Sequence, residues 1–218
     1  MVSSGSFKAA QTNPARRALR WAILAGLTVF VSYTAAKALY SPWLVDDFPE
    51  DLAIKVELMP LLFPLHMISG GLALVLVPAA LAARKWPRWH RPLGRIAAAD
   101  VAVAGLTAFP VALIEPVTTG SALGFSAQGA VWLFLLVLGI SNIRRGRPRA
   151  HRAAMLLMAA TASGAVFFRI YLALYAMIGG YRYYHLFYAA DAWTAWSLPL
   201  LATAIWLKRT GASPFDLR

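Results

Sequence analysis

The 218-residue chain is 60% hydrophobic and only 14% charged, whereas soluble proteins average about 45–50% apolar and about 25% charged residues. That balance excludes an ordinary water-soluble domain and points to an all-α polytopic membrane protein. Twenty-one Lys and Arg stand against nine Asp and Glu, but the cations fall between apolar runs, which is how membrane topology rather than a nucleic-acid-binding face distributes them. The absence of cysteine excludes disulfides, thiolate metal sites, iron–sulfur clusters, c-type haem attachment and a cysteine nucleophile.

A helix needs roughly 20 mostly apolar residues to cross a hydrocarbon core of about 30 Å. Six segments meet or approach that length: Ala18–Tyr40, Leu61–Ala83, Ile96–Ile114, Leu123–Ile143, Ala153–Ile178 and Ala192–Leu207. Lipid cannot satisfy open strand edges, and the runs are continuous rather than alternating, so sheets and a β-barrel are both excluded. The first segment, with Arg16, Arg17 and Arg20 around its start and Ala36-Lys37-Ala38 near its end, loosely imitates a cleavable signal. Lys37 sits badly beside a cleavage site, so the segment reads as a retained helix.

The cations alternate from connection to connection. The N-terminal stretch, up to the start of the first segment, holds Lys8, Arg16, Arg17 and Arg20; Arg84, Lys85, Arg88, Arg91 and Arg95 join the second to the third. Arg144, Arg145, Arg147, Arg149 and Arg152 join the fourth to the fifth, and Lys208, Arg209 and Arg218 follow the sixth. The other three connections carry Asp46, Asp47, Glu50, Asp51, Glu57, Glu115 and Asp191, with Lys55 and Arg182 as their cations. The positive-inside rule then puts both termini in the cytoplasm of a bacterial inner membrane. Trp43, Trp86, Trp89, Tyr181, Tyr183, Tyr184 and Trp193 fall at segment ends, where amphipathic rings sit at headgroup level.

Pro87-Arg88-Trp89-His90-Arg91 recurs 61 residues later as Pro148-Arg149-Ala150-His151-Arg152. Each copy lies in a basic connection just before a membrane helix, so the second-to-third and fourth-to-fifth pairs read as two copies of one hairpin. Together they would form a central four-helix bundle over residues 61–178. Residues 1–17 make a cytoplasmic segment, 18–40 the first flanking helix and 192–218 the last helix and its tail.

Ionisable groups inside spans are costly and mark candidate sites. His90 and His151 fall at one membrane depth, at helix N-termini that disfavour protonated imidazole. Neutral imidazole is the form a metal takes, and two of them could hold one haem b iron. Arg91, Arg95 and Arg152 would then pair with the haem propionates. The same His-Arg pairs equally suit lipid headgroups. His66 and Arg169 fall together near the outer side and form a second candidate site, for a substrate anion. Arg169 follows His151 by five helical turns and shares its face, with Glu57 and Glu115 as partners at similar depth. Asp100 is placed to meet Arg91 or Arg95. Ser69-Gly70-Gly71 and the small residues of 159–165 allow close helix packing or leave room for a flat cofactor.

The order His66-x-x-Ser69-Gly70, His90-Arg91-x-x-Gly94-Arg95, Gly124-Phe125, His151-Arg152-x-x-Met155 and Arg169-x-Tyr171 resembles the bacterial membrane family DUF2306 over roughly residues 60–180. Ala154 departs from the bulky residue expected before the Met. The resemblance implies a multi-helix integral membrane protein without an assigned reaction. Three functions remain open: a haem- or redox-cofactor-binding bundle of b-type cytochrome character, a scaffold or assembly factor that grips lipid or a membrane-protein partner, and a small-anion carrier.

Overall fold

The computed structural model describes residues 14–40, 50–178 and 182–215, and it is helical throughout, with no strand among the described residues. Lys8, Trp43, Asp46, Asp47, Tyr181 and Arg218, invoked above for topology and anchoring, lie outside them. Among the described residues eight α-helices follow in order: α1 (Pro14–Tyr40), α2 (Glu50–Leu58), α3 (Leu62–Ala82), α4 (Pro87–Leu113), α5 (Thr119–Arg144), α6 (Pro148–Ala162), α7 (Gly164–Ile178) and α8 (Tyr184–Arg209). Among the described residues, four stretches are long and apolar enough to cross a membrane: Leu62–Lys85, Pro87–Leu113, Thr119–Arg144 and Pro148–Ile178. The first and last expected spans fall within α1 and α8, of 27 and 26 residues.

Local chemistry sets the helix ends. α4 and α6 each open with proline at the first helical position, where its missing N–H costs nothing and its fixed φ suits a helix. A 3-10 turn at Ala83–Lys85 and extended Trp86 reverse the chain between α3 and α4. α5 opens with a capping box: the Ser121 N–H donates to Thr118 Oγ1 at 3.0 Å, and the Thr118 N–H donates to Ser121 Oγ at 3.1 Å. These starts lie four to nine residues earlier than the apolar runs alone predict. Membrane helices continue past the hydrocarbon into the interface, where polar residues cease to oppose them. α4 alone rises about 40 Å at 1.5 Å per residue.

Three expectations need correction. Residues 50–58, read as connection, form helix α2. The fifth span is not one regular helix. It breaks at Ser163, whose hydroxyl donates to the Ala160 carbonyl at 2.6 Å while the Val166 N–H turns back to the Ser163 carbonyl at 2.9 Å. A serine hydroxyl that takes up a backbone carbonyl competes with the regular helix at that point. The sixth helix begins at Tyr184 rather than Ala192, and Asp191 therefore lies inside α8 instead of in a connection.

α3 packs on α4, α4 on α5 and α5 on α6, and α3 meets α6 to close a ring; α8 covers α5, α6 and α7, and α1 lies along α3. The interior is built of Val101, Ala104, Trp132, Leu135, Leu136, Ala153, Leu157 and Met158. Glycines set the closest approaches. A Cβ at Gly124 would stand 2.9 Å from the Ala192 carbonyl oxygen, and one at Gly164 2.6 Å from the Trp196 Cβ. Both crossings bring α8 against the bundle, so the small residues near Gly164 serve close packing here. Leu106, Phe134, Val137 and Leu201 point outward, giving the apolar exterior that a bilayer covers.

Candidate functional site

The two copies of the Pro-x-x-His-Arg motif occupy the same helical register. Each proline begins its helix, and each histidine is the fourth residue in. Each imidazole reaches back across its own hairpin. His90 Nδ1–H donates to the Ala80 carbonyl of α3 at 2.9 Å, and His151 Nδ1–H donates to the Gly139 carbonyl of α5 at 2.9 Å. A carbonyl can only accept, so a neutral ring carries its proton on Nδ1 and keeps a lone pair on Nε2. Neither Nε2 has a hydrogen-bond partner among the described residues. The rings belong to α4 and α6, and they converge with centroids 6.5 Å apart and planes at 70°.

That separation can be set against the needs of a shared metal. Metal–imidazole bonds of about 2 Å, with ring centres about 1 Å behind each nitrogen, put two rings roughly 6 Å apart across one ion. The backbone carbonyl on each Nδ1–H is the kind of partner that orients a ligating imidazole and raises its basicity. No cluster of three or more His, Cys, Asp or Glu able to hold a metal occurs among the described residues. Two imidazoles therefore suit a group that brings its other ligands with it. Arg91, Arg95 and Arg152 surround this end of the bundle with exposed side chains. Arg152 also lines a cavity of about 440 Å³ with Arg149, Leu156, Trp206 and Thr210, which neither histidine borders.

The outer pair is assembled differently from expectation. His66 does face inward: its Nδ1–H donates to the Ala104 carbonyl at 3.1 Å, with the Thr107 hydroxyl oxygen at 3.2 Å. Arg169 does not. It is exposed, and its guanidinium donates to the Ala165 carbonyl of its own helix at 2.7 Å. Glu57 and Glu115, proposed as its partners, are exposed. Arg169 is nevertheless within electrostatic range of His66 and of Tyr188, beside a cluster in which Phe125, Phe168 and Tyr188 meet edge to face. Asp100 Oδ2 is buried without a hydrogen-bond partner, so that oxygen meets neither Arg91 nor Arg95.

Two buried charged residues among the described ones escaped the sequence. Lys55 is buried and donates to the Val111 and Ile114 carbonyls, at 2.9 Å and 2.6 Å, at the end of α4. Asp191 is 2% exposed, and neither of its carboxylate oxygens has a partner. Its spacing accounts for its place in α8 and not for its burial: it stands one residue before an apolar run and seven after Tyr184, so a helix begun at the aromatic cluster includes it.

No curated protein and no solved structure matches the chain. Residues 63–207 match the family described as "Predicted membrane protein (DUF2306)", a longer stretch than the 60–180 expected, reaching through most of α8. With well over half its length matched and its long apolar helices in place, the chain belongs to the DUF2306 family of integral membrane proteins.

Proposed function

We propose that the protein is a six-span bacterial inner-membrane protein, with both termini cytoplasmic, in which His90 and His151 hold the iron of one haem b at the cytoplasmic end of the bundle. The observation that carries this reading is the convergence of two imidazoles from α4 and α6 to 6.5 Å, each with Nδ1 engaged and Nε2 left to coordinate. Bound haem would supply one-electron chemistry. The chain's own part is to hold the two rings through the Ala80 and Gly139 carbonyls and to offset the propionate charge with Arg91, Arg95 and Arg152. Membrane lipids surround the apolar exterior.

The haem-to-protein ratio of purified protein, measured after expression with excess haem precursor, tests the proposal. The wild type should bind close to one haem per chain, and His90→Ala and His151→Ala should each fall at least several-fold below it. A wild type free of haem from replete cells would contradict it.

The electrostatic interaction of Arg169 with His66 and with Tyr188 favours a second reading, in which the outer site takes a small anion. Anion-dependent thermal stabilisation that Arg169→Ala abolishes would support it. Stabilisation unchanged in that variant would remove Arg169 from the site.

A further inference from the structure

A second cavity, of about 390 Å³, lies between α7 and α8, within the range of ligand sites at about 300–1,000 Å³. Tyr171, Leu174, Tyr175 and Phe187 supply an apolar and aromatic wall, and Asp191 and Thr194 border it from α8. The Tyr175 and Phe187 rings stack at 4.1 Å with 11° between their planes. The Asp191 carboxylate is buried with both oxygens unpartnered, an arrangement that strongly disfavours the bare anion.

Four of the neighbouring donors are engaged elsewhere. The Trp193 indole N–H donates to the Gly120 carbonyl at 3.0 Å and that of Trp196 to the Ala192 carbonyl at 2.9 Å. The Thr194 hydroxyl donates to the Ala190 carbonyl at 3.1 Å, and the Arg169 guanidinium to that of Ala165. A buried carboxylate with no hydrogen-bonding partner among the described residues, bordering a cavity lined by Tyr171, Tyr175 and Phe187, has the chemistry that recognises an organic ammonium: charge on the carboxylate, cation–π contact on the rings.

We propose that the α7–α8 cavity binds a lipophilic organic ammonium, with Asp191 as its counter-ion and Tyr171, Tyr175 and Phe187 around its apolar body. Both carboxylate oxygens are sealed from solvent, so the occupant reaches them as the Asp191 side chain turns toward the cavity it borders. Neither the histidine pair nor any haem takes part, and the two sites stand or fall separately.

Phenethylammonium chloride is a suitable probe and 2-phenylethanol its uncharged counterpart, each titrated into the detergent-purified full-length protein while thermal unfolding is followed by tryptophan fluorescence. The ammonium should raise the unfolding temperature saturably and 2-phenylethanol should not. Asp191→Asn should weaken the apparent affinity at least tenfold. Ala190→Leu, which fills the cavity beside Asp191 and leaves the carboxylate in place, should weaken it to the same degree. Equal responses to the two probes, or an unchanged response in either variant, would overturn the proposal. Should Asp191→Asn fail to fold, Ala190→Leu and the neutral probe decide it alone.

Discussion

At the scale of single residues, His90 and His151 have two separable tasks, one on each ring nitrogen. Nδ1–H ties each helix to its hairpin partner, and Nε2 is left for a ligand. Asparagine can imitate the first task, because its amide N–H can reach a carbonyl, but it offers no imidazole lone pair. His151→Asn should therefore unfold close to the wild-type temperature of the haem-free protein while losing haem. A purely structural His151 would leave haem content, if any, unchanged. The glycines make a second contrast. A methyl at Gly139 meets the terminal methyl of Met155, which can swing away, whereas one at Gly164 meets the Trp196 Cβ and Cα at 2.6 and 3.0 Å. Gly164→Ala should cost about 1–3 kcal/mol by overpacking and Gly139→Ala clearly less, as read from detergent-solubilised thermal unfolding.

The same residues show what could be read from sequence. The His-Arg copies were legible because identical spacing from a helix-starting proline fixes equal depth, whatever the tertiary packing. Arg169 was legible in depth but not in direction, since periodicity does not reveal that its guanidinium turns back to the Ala165 carbonyl of its own helix. Asp191 and Lys55 were not legible as buried residues. A charge beside an apolar run reads as the boundary of that run, and only packing between helices reveals that the chain has enclosed it.

At the scale of elements, the connections hold the bundle ends by specific hydrogen bonds. Thr118 and Ser121 close the start of α5 reciprocally. Thr118→Ala should therefore destabilise by about 1 kcal/mol, with faster amide exchange confined to the first turn of α5. Lys55 on α2 plays the complementary part at the end of α4, where the helix has run out of N–H donors for its last carbonyls. Lys55→Met keeps the apolar stem and removes the ammonium. It should cost about 1–3 kcal/mol, the penalty for buried acceptors left unsatisfied. Unaltered stability in that variant would mean that water replaces the ammonium without loss. Helix α2 was hidden from a span-based reading because nine residues are too few to cross a membrane.

At the scale of the whole molecule, topology follows from the alternation of basic and acidic connections, and the absence of cysteine makes it directly measurable. Single cysteines at Arg84 and Arg145 fall on the expected cytoplasmic side, and those at Glu115 and Arg182 on the outer side; all four positions are exposed. A membrane-impermeant maleimide applied to spheroplasts should label Glu115→Cys and Arg182→Cys at once, and Arg84→Cys and Arg145→Cys only after lysis. The opposite result would invert the orientation and put the histidine pair on the outer face. The bundle brings the two basic hairpin turns together at one end, which is why two residues 61 apart in sequence stand with their rings 6.5 Å apart.

The most direct measurement is the absorption spectrum of the purified protein, recorded oxidised and then reduced with dithionite. Two imidazoles on one haem iron predict an intense Soret band and sharp α and β bands on reduction, all absent when His90 and His151 are replaced together by alanine. A featureless visible spectrum from haem-replete cells, or one unchanged by that double substitution, would contradict the assignment of the histidine pair.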